Sequence, residues 1–278
     1  IARKLVSIVG FLFCNTIFKI TFFKINDDNI IVTSFFKKFI NRPKLDFYIQ
    51  IQCYRITQHK LLKICKELMV AKVITFANVK GGSGKSTLCI NMAAILIRAG
   101  YSVALVDADQ QKCSQDWIIE TKDELLSKVK IIDQAEVGSA KDFDFDFLMI
   151  DTQGSLTKEM AQFLLQSSLI ITPCRVSRDD LVGQGWIEVF LKQSGQNGIK
   201  PPILTVLNGV NKRSSILAHV IEQLKDDGVQ VANTCISQRV CFAETNVNKI
   251  SVIGYNKTAT NEMVDLTNEA LNLLKDEV

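Results

Sequence analysis

Eight consecutive residues, Lys80-Gly81-Gly82-Ser83-Gly84-Lys85-Ser86-Thr87, bring three glycines, two lysines and three hydroxyls together between two apolar stretches. That combination suits a phosphate group. Glycines let the backbone wrap an anion so that successive N–H groups point inward, and a helix starting at the end of the loop adds the positive end of its dipole. In such a loop Lys85 contacts the β- and γ-phosphates and Ser86 ligates Mg²⁺. The ordinary pattern places a glycine five residues before Gly84, where this chain has Val79. What it offers instead is a second lysine, Lys80, at the opening of the loop.

Two carboxylate segments accompany the loop. Leu105-Val106-Asp107-Ala108-Asp109-Gln110-Gln111 ends an apolar run with two aspartates two residues apart, a spacing that puts both on one side of a strand. Asp146-Phe147-Leu148-Met149-Ile150-Asp151 is an apolar strand closed by a carboxylate. Asp151 is expected to hold Mg²⁺ through water, because that ion keeps much of its hydration shell. The next residues, Thr152-Gln153-Gly154-Ser155, have two readings: a segment that senses the γ-phosphate, or a plain turn bent at Gly154.

These residues need a scaffold, and the pattern from Ala71 onward supplies one. Short apolar runs alternate with helical stretches, as in a doubly wound α/β fold whose mostly parallel sheet has helices on both faces. Strands are predicted at Val73–Ala77, Ser102–Asp107, Lys128–Ile132, Phe147–Asp151, Leu169–Thr172, Ile203–Asn208 and Val229–Asn233. Helices are predicted near 86–99, 157–166, 180–194 and 214–226. The first is apolar on nearly every side and stops at Gly100, so it should be buried directly behind the loop. A last helix, roughly Asn261–Lys275, sets Met263, Leu266, Ala270 and Leu273/Leu274 on one face and the acids Glu262, Asp265, Glu269 and Asp276 on the other.

The net charge of +4 over 278 residues is unevenly spread. Lys and Arg outnumber Asp and Glu 12 to 4 in residues 1–68 and are outnumbered 21 to 25 after them. Residues 1–68 are also rich in Phe, Ile, Lys and Asn, which share A/T-rich codons, and they lack a persistent period and turn punctuation. They are expected to be upstream sequence translated in frame, or disordered, with the folded domain at 69–278. Two other readings stay open. Arg3-Lys4 and Leu5–Cys14 resemble the start of a signal peptide or anchor, though no small-residue cleavage site follows and the run is too short to span a bilayer before Lys19. An accessory segment is the other. The eight cysteines lie singly, without metal-ligand spacing, and are expected to be free thiols.

A loop opened by Lys80 is the deviant Walker A motif, and with Asp107-Ala108-Asp109 and Asp146–Asp151 the chain resembles the ParA family, closest to its small plasmid-partition subgroup. Gly100-Tyr101, Ile170-Ile171-Thr172-Pro173 and Ser237-Gln238-Arg239 extend the resemblance, which runs from Lys72 to near the C-terminus. It implies an ATPase dependent on Mg²⁺ and slow without a partner, whose ATP-bound homodimer is completed by Lys80 reaching the other subunit's nucleotide. It further implies that Asp109 orients the attacking water and that Asp107 joins Ser86 and Asp151 at the magnesium site. The family's proline after the second aspartate is Gln110 here. The implied partners are non-specific DNA and a small ParB-like centromere-binding protein, with no membrane, and the implied location is cytoplasmic and nucleoid-associated. Candidate DNA contacts are Lys212, Arg213, Arg239 and Lys249.

Three relatives of the motif compete with this expectation. A MinD-like protein would position a protein or membrane-associated cargo through a basic amphipathic tail, where this chain has an acidic helix. An iron–sulfur reductase would need bridging cysteines, which Cys113 and Cys174 do not recognisably supply. A small-molecule ligase such as dethiobiotin synthetase has no need of Lys80.

Overall fold

In the computed structural model the described residues are 12–14, 17–26, 29–38 and 49–57, then 71–137, 145–155, 157–177, 185–187, 189–191 and 201–275. The chain divides into two units, Ile1–Met69 and Val70–Val278. In the first, β1 (Leu12–Cys14), β2 (Ile17–Asn26), β3 (Asn29–Lys38) and β4 (Ile49–Thr57) pair antiparallel in sequence order. The β2–β3 ladder runs from Ile17↔Lys38 to Asn26↔Asn29.

Among the described residues the second unit is built on seven parallel strands. They are β5 (Lys72–Phe76), β6 (Val103–Asp107), β7 (Lys130–Ile131), β8 (Phe147–Asp151), β9 (Leu169–Cys174), β10 (Ile203–Val210) and β11 (Ile236–Ser237). Their order across the sheet is β11-β10-β9-β5-β8-β6-β7. Strand side chains alternate between faces, so each central strand feeds two cores. Ile74, Phe76, Leu105, Met149 and Ile171 pack on one face with α1 (Lys85–Arg98) and α6 (Lys257–Leu273). Val73, Val106, Leu148 and Ile150 point the other way, towards Phe163 of α3 (Lys158–Gln166). Helix α4 (Ser215–Asp226) covers Cys174 and Leu207 through Leu217, Val220 and Leu224. The expected doubly wound α/β fold is therefore present, with the sheet wholly parallel.

Helix α1 is buried along Leu88–Leu96, as its all-round apolar sequence requires. It ends in a Schellman motif: Gly100 takes φ 93°, its N–H donates to Ile97 O at 3.0 Å, and Tyr101 N–H donates to Leu96 O at 3.1 Å. Within Leu88–Leu96 one polar side chain is sealed. Asn91 donates through Nδ2 to Thr87 O at 2.8 Å and accepts from Val252 N–H at 2.8 Å, tying the helix behind the phosphate loop to the C-terminal part of the chain.

Several sequence expectations need correction. Val229–Asn233 is not a strand but meets the sheet at a single bridge, Thr205↔Val231. The reason is Glu269, whose carboxylate takes the N–H groups of Asn233 at 2.7 Å and Thr234 at 2.8 Å and draws the chain off the ladder before β11. Two helices, α2 (Cys113–Ile119) and α5 (Val240–Asn248), went unpredicted. The expected helix near 180–194 lies partly outside the described residues; 185–187 and 189–191 within it are helical.

The acidic face of the last helix is only partly solvated. Asp276 lies outside the described residues, Asp265 is exposed, and Glu262 is buried. Glu262 Oε1 accepts from Lys212 Nζ at 2.8 Å, Ser237 Oγ at 2.7 Å and Arg239 Nη2 at 3.3 Å, and Oε2 accepts from Ser237 N–H at 3.1 Å. Burial alone would raise this carboxyl, but the hydrogen bonds from Lys212, Ser237 and Arg239 hold it below the ordinary glutamate range. A depressed carboxyl stabilises the fold above its unfolded pKa, and that contribution is lost as pH falls through the folded value. Denaturant titration at pH 7 should find Glu262→Ala less stable by about 2 kcal/mol, the worth of hydrogen bonds to a buried charge. The gap between wild type and variant should close on acidification below the ordinary carboxylate range.

Candidate active site

Parallel pairing sets the site at the C-terminal edge of the sheet. Phe76 of β5 pairs with Asp151 of β8, and Asp151 pairs with Asp107 of β6, so three strand ends lie on one rung. Beyond Phe76 the chain turns through Ala77–Gly84 into α1. Asn78 anchors that turn: its Nδ2 donates to Pro173 O at 2.7 Å, and its Oδ1 accepts from Lys80 N–H at 2.9 Å.

Gly84 closes the loop at φ 98° as the N-cap of α1, and no side chain caps the helix. Its first intrahelical bond is Leu88 N–H to Gly84 O at 3.0 Å, which leaves the amides of Lys85, Ser86 and Thr87 for an anion. Only glycine fits this place. A Cβ would lie 2.1 Å from Asn208 Nδ2, which itself donates to Ser83 O at 2.7 Å. Gly154 is also tight, since a Cβ there would stand 2.8 Å from the backbone N of Gly81. The segment after Asp151 thus presses against the opening turn of the loop.

Lys85 is 7% exposed, and its Nζ donates to Lys80 O at 3.3 Å. Burial lowers its pKa, while Asp151 and Asp109 oppose that fall, so both carboxylates lie within electrostatic reach. Asp151 is buried as well, and neither of its oxygens has a hydrogen-bond donor. Burial lifts its carboxyl to about 7 and Asp107 adds to the rise; the hydroxyls of Ser86 and Ser114, close by but outside hydrogen-bonding geometry, and the Lys85 ammonium draw it down in part. The hydroxyl of Ser83 is also buried and unpartnered. A buried carboxylate without donors beside a serine hydroxyl is a hard-oxygen set that fits Mg²⁺.

Asp107 is placed differently from Asp151. Its Oδ1 accepts from Asp109 N–H at 2.9 Å, and its Oδ2 accepts from Ser114 N–H at 2.9 Å, Ser114 Oγ at 2.7 Å and Gln115 N–H at 2.9 Å. It caps α2 and braces the loop that carries Asp109. Asp109 is half-buried, with Oδ1 accepting from Gln111 N–H at 2.9 Å.

The structure thus gathers Lys80–Thr87, Asp107, Asp109 and Asp151 at one edge of the sheet. The four basic candidates do not gather in the same way. Lys212 and Arg239 share Glu262, and Arg213 is exposed next to Lys212. Lys249 caps the far end of α5 from Arg239, about 15 Å away at the helical rise, and its charge reaches Cys113 beside the Asp109 loop. Asn208, Ser114 and Gly154's contact with Gly81 were not singled out from the sequence. A lone Asn at a strand end and a Ser after a loop carry no motif.

The match to a family model describing the CobQ/CobB/MinD/ParA nucleotide-binding domain spans residues 74–252. The chain is 25% identical over 210 residues to the maintenance of carboxysome distribution protein A of Halothiobacillus neapolitanus, covering 72% of this chain and 97% of that one. It is 21% identical over 178 residues to protein ParA of Rhizobium radiobacter, covering 62% and 80%. A putative plasmid partition protein of Borrelia burgdorferi bound to AMPPNP has the same fold, with a TM-score of 0.60 at 19% identity, over 75% of this chain and all of that one. With its phosphate loop, its buried Lys85 and its strand-end carboxylates all inside the matched span, this chain belongs to the CobQ/CobB/MinD/ParA family of nucleotide-binding proteins.

Proposed function

We propose that this chain is a DNA-partition ATPase, whose ATP-bound homodimer holds DNA without sequence preference and lets go when a ParB-like partner stimulates hydrolysis. The observation that carries the reading is the loop at Lys80–Thr87 set against Asp109 and the donor-free carboxylate of Asp151. In it the triphosphate lies along the amides of Gly81–Thr87, with the Lys85 ammonium on its β- and γ-oxygens. Ser86, and Asp151 through water, would hold Mg²⁺, which would supply charge neutralisation for the triphosphate. Asp109 orients water towards the γ-phosphate, and Asp107 keeps Asp109 in place. Lys80 completes the partner subunit's site, adding positive charge where negative charge develops in the transition state. Gly154, packed against Gly81, carries the state of the γ-phosphate into the segment after Asp151.

Sequence-independent DNA binding asks for exposed cations, and Lys212, Arg213 and Arg239 are the group for it. Glu262 holds Lys212 and Arg239 side by side, while Lys249, nearer the Asp109 loop, is a separate contact. A second reading keeps the ATP cycle but moves a protein assembly rather than a plasmid, and the carboxysome-distribution relative favours it. A membrane version finds no support in α6, whose apolar residues Met263, Leu266 and Ala270 are buried in the core. Among the described residues no helix is long and apolar enough to cross a membrane.

Lys85→Ala should abolish binding of ATP measured by calorimetry. Asp109→Ala should retain ATP binding and dimerisation while turnover falls by about 10²-fold or more, the usual scale of a positioned proton acceptor; an unchanged rate would remove Asp109 from its role. On random-sequence duplex DNA, retention should require ATP and weaken steeply with added salt. Retention on anionic liposomes in ATP, with none on DNA, would overturn the partition reading.

A further inference from the structure

Hydrogen bonds hold the loop from Asp107 to Ser114 along most of its length. Ala108 N–H donates to Asp151 O at 2.8 Å, Lys112 N–H to Asp109 O at 3.1 Å, and Lys112 Nζ to Asp107 O. Lys112 stands at φ 52°, a left-handed conformation that costs a non-glycine residue free energy and persists only where its surroundings enforce it. It is the N-cap of α2, yet its side chain does not cap the helix. The cap is the carboxylate of Asp107, arriving from the end of β6, with Oδ2 serving Ser114 and Gln115 and Oδ1 serving Asp109. One carboxylate therefore joins the start of the loop, the residue meant to orient water, and the helix at the loop's far end.

Ser114 is the closing member of this arrangement. It is fully buried, and it alone reaches Asp107 with both its N–H and its hydroxyl. Asp107 and Asp151 are register neighbours on adjacent strands, so a carboxylate released from its donors would be loose beside the cation site. We propose that Ser114 is a positioning residue for ATP hydrolysis: its buried hydroxyl clasps Asp107 and so fixes the loop that presents Asp109. This rests on the reading of Asp109 as the residue that orients water. Displacing a group at the reacting centre by about 1 Å costs about 10²-fold in rate, while binding made by Lys80–Thr87 is untouched.

The test is Ser114→Ala and Ser114→Thr in the full chain, with steady-state ATP hydrolysis, ATP affinity by calorimetry and thermal unfolding measured for each. Ser114→Ala should lower kcat by about tenfold or more, with KM and ATP affinity within about twofold of wild type. Ser114→Thr, which keeps the hydroxyl, should recover most of the rate. In an Asp109→Ala background, Ser114→Ala should lower the residual rate no further, since both act through one element. Wild-type kcat in Ser114→Ala, a parallel loss of affinity and rate, or additive losses in the double variant would each overturn the proposal. A wild-type chain that bound ATP and never hydrolysed it would instead overturn the proposed function, and the role of Asp109 with it.

Discussion

Parallel pairing of β5, β8 and β6 places Phe76, Asp151 and Asp107 on one rung, and the chemistry of the site descends from that alignment. Parallel strands can be aligned this way only with long crossovers, and each crossover leaves the sheet at the same edge. The phosphate loop departs from β5, the Asp109 loop from β6 and the Gly154 segment from β8. A one-residue slip in any of these ladders would turn its strand's side chains to the opposite face. Alternating burial in two cores holds the register against such a slip, with Ile74 and Phe76 on one face and Val73 on the other.

Within that edge the site is built with unsatisfied charge. Lys85 and Asp151 are both buried; burial works against the ionised form of each, and each favours the charge of the other. Neither oxygen of Asp151 meets a donor, and the amides at the start of α1 have no side-chain cap. Buried groups of this kind carry a desolvation cost until partners arrive. An anion on the amides and Lys85, together with a cation at Asp151, would supply those partners, and binding would then stabilise the fold through the same contacts. Asp107, one strand away, has four protein donors and serves as a brace.

The C-terminal helix lies on the same face as α1 and acts at the β10–β11 end of the sheet. Through Glu262 and Glu269 it captures the segment between β10 and α5, shortening the expected strand at 229–233 and fixing Arg239 and Lys212 together. A carboxylate holding two cations keeps them adjacent without spending their whole surface, since Lys212 remains about half exposed. The same helix gives its apolar face to the core, which joins the basic group to α1 behind the phosphate loop.

By themselves the residues determined the loop at Lys80–Thr87, the carboxylates Asp107, Asp109 and Asp151, and the alternating β/α order, because each rests on local spacing. Glycines beside lysines, an aspartate ending an apolar run, and a period of two or of 3.6 are all readable over a few positions. Gly100 could be placed as a helix stop for the same reason. Tertiary structure decided what depends on contacts between distant positions: the cap of α2 by Asp107, the clash that makes Gly84 irreplaceable opposite Asn208, and the press of Gly154 on Gly81. It also took two carboxylates of the apparent acidic face, buried Glu262 and half-buried Glu269, into hydrogen bonds with the segment before α5. Charge pattern along a helix cannot distinguish a solvated glutamate from one that has found a lysine 50 residues earlier in the chain, because the burial that separates them is a property of the packed fold.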